Sequence, residues 1–178
     1  LIFVTPLGMI LLPRISHALA QGKKFEVGQG MEILLTTTIY FSTIICCIVF
    51  LYTEELLIIW LGKISTDGIL LVKLVILAFP FYSVMGVLRG PIDAGSEKGY
   101  NSLIYVIAAM GMLFSFLIFQ IAGVNMMIAG TISFAFGHSV SMIGCLYFSK
   151  KLFDVSIRLV QTFPTVVLLV IMINALAL

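Results

Sequence analysis

Charge is what this sequence has least of. Aspartate, glutamate, lysine and arginine make up 10% of its 178 residues, where a soluble domain carries about 25%. With 61% of the chain hydrophobic, lipid is the expected solvent. The acids are eight, and each sits in or beside a polar connection, with none in the middle of an apolar run. That argues against an intramembrane aspartyl protease or a carboxylate-driven pump, both of which place an acid at depth. Cysteine is almost as scarce. Cys46, Cys47 and Cys145 all fall inside apolar runs, in neither a disulfide framework nor a metal-ligand spacing, and read as small buried hydrophobes. Nucleophile elbows, phosphate loops, HExxH and dinucleotide fingerprints are missing. No catalytic residue, metal or cofactor is expected, and an enzyme becomes the minority reading. Without a basic, aromatic-rich patch, nucleic acid is not an expected partner.

Long apolar runs are what the chain does have. Ile33–Thr53, Ile69–Leu88, Ser102–Ala122 and Met126–Phe148 each approach the roughly 20 residues that cross a bilayer as helix. Residues 1–13 and 163–178 read as two further spans, truncated or short. None of the runs alternates with period two, and an open sheet would strand its backbone donors in hydrocarbon. The expected fold is therefore all-α: a polytopic transmembrane helical bundle of about six spans, forming a single domain over residues 1–178. The chain starts at Leu1 inside an apolar run, so a fragment of a longer protein is expected.

Ten basic residues set the sidedness. Eight of them lie in connections 14–32, 89–101 and 149–162; Lys63 and Lys73 lie on the other side. Lysine and arginine accumulate in cytoplasmic loops, so those three connections are expected in the cytoplasm. Within 14–32, Ile15, Ala18 and Leu19 share one face of a short interfacial helix, which Gly22, Gly28 and Gly30 are expected to break. Trp60, in Leu56–Leu61, suits the outer headgroup depth. Pro80 is expected to kink its helix, with Ser83 helping to resatisfy the freed carbonyls, and Pro91 to end it.

Three residues stand out as substrate-binding candidates: Lys73, Arg89 and His138. His138 falls near the bilayer midplane on a stripe with Thr131, Ser141 and Cys145. A histidine at that depth either lines a wet cavity or packs, neutral, in a helix–helix seam. Lys73 lies about one turn inside its span, where it either snorkels outward or meets an anionic cargo. Arg89 lies where the third apolar run meets its connection. A second polar stripe, Thr36, Tyr40, Thr43 and Cys47, and the glycines Gly111, Gly130, Gly137 and Gly144 favour close helix packing.

Three stretches then fall in a telling order: LPRISHALAQGKKFE, EELLIIWLGKIS and FPFYSVMGVLRGPIDAGSEKGYNS. In that order the chain resembles the C-terminal half of polysaccharide-type flippases of the multidrug/oligosaccharidyl-lipid/polysaccharide exporter superfamily, which include O-antigen and related lipid-linked sugar translocases. The resemblance implies one lobe of a two-lobe transporter in the bacterial inner membrane. It implies flipping of an undecaprenyl-pyrophosphate-linked oligosaccharide by alternating access, without metal or covalent step. The partners it implies are that lipid-linked oligosaccharide, membrane lipids and a missing N-terminal lobe. A multidrug/cation antiporter of the same superfamily, a membrane-embedded enzyme of glycan or lipid assembly, and a non-transporting helical scaffold stay open beside it.

Overall fold

The computed structural model describes residues 13–62 and 65–155. The expected terminal spans (Pro13 apart), Lys63, Arg158 and the rest of connection 149–162 beyond Val155 lie outside the described residues. Among the described residues there is helix and no strand. Residues 13–20 are helical (α1). They are followed by α2 (Lys24–Leu51), α3 (Thr53–Leu61), α4 (Thr66–Ile76), α5 (Phe79–Gly95), α6 (Tyr100–Ile121) and α7 (Met126–Phe153). Four units are long and apolar enough to cross a membrane: α2, α4 with α5 taken together (Thr66–Gly95), α6 and α7. Large apolar side chains such as Phe41, Ile44, Val106, Met110 and Leu117 point outward. A lipid solvent suits that outer surface.

At the centre lies α7. Helices α4, α5 and α6 pack along it, and α5 also lies against α2. The α6 contact runs over the glycine face expected from the sequence. A Cβ at Gly144 would meet Ile104 at 3.1 Å, and one at Gly137 would meet Met112 Cε at 2.8 Å and the Ala108 carbonyl at 3.4 Å. Lipid tails are as apolar as leucine, so close van der Waals approach of this kind holds membrane helices together.

Pro80 does more than kink its span. The helix breaks at Leu77–Ala78, and a new one begins with Pro80 in its first turn. A proline there loses no donor of its own helix, but the Ile76 carbonyl loses the amide that residue 80 would have offered. The Cys46 thiol, on a different span, donates to that carbonyl at 3.3 Å. Ser83, proposed from the sequence as the repair, instead donates to Phe79 at 2.8 Å. Cys46 is thus buried, as expected, but it also serves as a hydrogen-bond donor.

Three expected helix breaks do not occur. Pro91 lies inside α5, which runs on to Gly95, so the connection expected at 89–101 narrows to Ser96–Gly99. The proline ring is fully buried beside Leu88 and Ile92, and that packing offsets one missing amide. Only Gly22 breaks the chain after α1, at φ 76; Gly28 and Gly30 are helical. Gly28 is needed for a different reason, because a Cβ there would lie 2.8 Å from the Phe153 carbonyl oxygen. The Phe153 ring in turn occupies the space where a Cβ on Gly95 would stand. One phenylalanine, 3% exposed, therefore clasps the start of α2, the end of α5 and the end of α7.

Candidate functional site

The helices bring two of the three candidate residues onto connected surfaces and leave the third apart. His138 is half-buried on α7. Its ring meets Tyr82 of α5 edge-on at 5.3 Å and Phe134, one turn earlier on α7, at 4.4 Å. Its Nδ1 is shielded from solvent and has no hydrogen-bond partner among the described residues, as is also true of the Ser133 and Ser149 hydroxyls. A buried polar atom left so costs about 1–3 kcal/mol, which packing alone does not explain. The rest of its stripe separates from it. Thr131 and Ser141 are buried and donate to their own helix's Met127 and Gly137 carbonyls, and Cys145 is buried. They form the packing seam, and His138 stands at its edge.

Arg89 lies seven residues beyond Tyr82, hence on the same face of α5 and about 10 Å further along it toward Gly95. It is exposed, and its guanidinium carbon sits over the Tyr105 ring of α6, 5.4 Å from the centroid. The guanidinium is a full and permanent charge, yet no carboxylate pairs with it among the described residues. The backbone there is fixed from the far side of the turn, since Asn101 Nδ2 donates to the Arg89 carbonyl at 2.9 Å. So Arg89 is not a residue at a helix end, as the sequence implied, but one held inside a helix whose turn is braced.

Lys73 stands apart. It lies on α4, with Nζ 5.4 Å from the centroid of the Phe50 ring on α2. That position lies on the other side of the helix break from Arg89. Among the described residues, no hydrogen bond or ion pair joins Lys73, Arg89 and His138. Sequence reasoning missed their aromatic neighbours Phe50, Tyr82, Tyr105 and Phe134. The spacing of Tyr82 and Arg89 was the available signal, but an aromatic at helical spacing in an apolar run is ordinarily core.

An aromatic-lined face with one cation can stack on sugar-like rings and donate hydrogen bonds from the guanidinium. If it is wet, a cysteine at 138 in a background freed of native cysteines should react with a small hydrophilic thiol reagent, while one at buried Ser141 should not. Equal protection at both positions would remove His138 from the site.

The class these observations define is a polytopic α-helical membrane bundle. No protein-family model, no curated protein and no solved structure matches the chain.

Proposed function

We propose that the chain is part of a membrane carrier that flips a lipid-linked oligosaccharide across the bacterial inner membrane by alternating access. One observation supports this above the others: an exposed arginine without a carboxylate partner, inside a spanning helix, on the same face as the Tyr82–His138 contact. A lipid-linked sugar joins pyrophosphate to a polar glycan. Arg89 offers the fork that phosphate oxygens take in pairs. Tyr82, Phe134 and His138 offer ring faces to the sugar. Lys73 places a second cation in the outer half, where the phosphates leave. The segmented α4–α5 span supplies a joint between the two halves. The other lobe of the carrier completes the path.

Arg89 decides the reading. In the intact transporter, Arg89→Ala and Arg89→Lys should both reach normal membrane abundance and both lose surface polysaccharide, because lysine keeps the charge but not the fork. Normal export in Arg89→Lys would reduce Arg89 to a charge that sets topology. Normal export in both variants would remove it from the site.

A further inference from the structure

The cytoplasmic end of the bundle gathers cations that lie far apart in sequence. The clasp sets the Phe153 carbonyl against Gly28, so the end of α7 adjoins the start of α2. Lys150 and Lys151 lie in the last turn of α7, and Lys24 opens α2 directly after Lys23. All four are exposed. Helix α1 folds back on the same end. Its Ile15, Ala18 and Leu19 pack against the core that holds Val27, Phe153 and Val155, which leaves Arg14 exposed on its outer side. Five carboxylates share this end. Glu26 takes up Lys23 at 3.8 Å, and Asp154 is the left-handed cap that stops α7. Glu32, Asp93 and Glu97 stand on α2 and at the end of α5, so the rim's own segments hold five cations against two acids. Neither Lys24, Lys150, Lys151 nor Arg14 has an ion pair among the described residues. The opposite end carries the reverse sign, with Glu54 and Glu55 in the first turn of α3 and Asp67 in that of α4.

We propose that this rim, built from α1, the first turn of α2 and the last turn of α7, is a binding surface for the anionic headgroups of the cytoplasmic leaflet. Charge complementarity selects that occupant. Lysines on long stems at the membrane edge reach phosphate oxygens, and a leaflet rich in phosphatidylglycerol presents them in one plane. The clasp makes the surface composite, since neither dilysine pair forms it alone. The surface operates whether or not the bundle carries cargo, so its test is separate from that of transport.

The full chain is reconstituted into phosphatidylcholine vesicles that contain spin-labelled phosphatidylglycerol or spin-labelled phosphatidylcholine. The ratio of the two labels in the motionally restricted, protein-bound lipid is then measured. The wild-type chain should favour phosphatidylglycerol. Lys23→Gln with Lys24→Gln, and separately Lys150→Gln with Lys151→Gln, should each lower the ratio, by about fivefold for each unpaired lysine removed at an anionic surface. Arginine at the same positions should keep it, and about 1 M salt, where the screening length is near 3 Å, should abolish it. Lys98→Gln is the comparison, because Lys98 is exposed on the α5–α6 turn, on the same end but in none of the three segments that form the rim. An unchanged ratio in both dilysine variants overturns the proposal. So does an equal fall in Lys98→Gln, because charge anywhere on that side then suffices.

Discussion

Gly95→Ala should destabilise the bundle by about 1–3 kcal/mol, the usual cost of forcing a methyl into packed space, and Phe153→Leu in the same chain should restore most of the loss. The reason is that the obstacle at Gly95 is the far edge of a side chain. The new Cβ would overlap the Phe153 ring, with two further ring carbons at 3.0 and 3.2 Å. Leucine is shorter than phenylalanine and vacates that edge. Gly28→Ala makes the contrast. There the obstacle is the Phe153 carbonyl oxygen at 2.8 Å, which is backbone and present whatever residue occupies 153. Gly28→Ala should therefore destabilise the protein with no rescue by Phe153→Leu. Thermal unfolding of the four variants in one detergent checks both statements. Rescue at Gly28, or none at Gly95, would show that Phe153 is not the element that joins these helix ends.

The second large effect concerns the broken span. Cys46→Val removes the thiol donor and leaves the Ile76 carbonyl unpaired within the membrane, at a cost of about 1–3 kcal/mol. The double change Cys46→Val with Pro80→Ala should lose much less than the sum of the single changes. Alanine restores an amide at position 80, and that amide can take the Ile76 carbonyl as an ordinary helix would. A double-mutant cycle on unfolding free energy measures the coupling. Additive losses would mean that the thiol contact is incidental. Cys46→Ser, which keeps a donor, should stay near wild type.

These two sites also mark how far the sequence can be read. Hydropathy located every described span, because burial in lipid is written residue by residue. It set the start of α2 at Ile33 and the end of α7 at Phe148, whereas the helices run from Lys24 and to Phe153. Past the hydrocarbon, a helix continues on hydrogen bonds and packing, which leave no apolar signature. Pro80 was legible as a disturbance, but the donor that repairs it was not, because Cys46 lies on a helix whose register against α4 only packing decides. Pro91 misled for the same reason: a local rule about amides was outweighed by a buried ring. In the candidate site, Lys73, Arg89 and His138 stood out by rarity alone. That Tyr82 links the last two depends on how α5 lies on α7. The glycine face of α7 was readable because its period is regular and its partner lies on the next helix.

One consequence follows from the length of α2 and α7. Each has 28 residues, about 42 Å at 1.5 Å per residue. A hydrocarbon layer of about 30 Å, crossed at a tilt near 20°, takes up only about 32 Å of helix. Because α7 begins at a tight turn of Gly123–Asn125 on the other side, the surplus emerges beside Lys24 and Lys150, and it carries Phe153 with it. The clasp is then bathed in water, while the glycine contacts of α6 on α7 are bathed in lipid. Burial of Phe153 and Val27 draws on the aqueous hydrophobic effect, which weakens on cooling; the glycine contacts draw on packing, which does not. The two ends of the same helix accordingly respond to temperature in different ways, and cold loosens the end that carries Phe153 first.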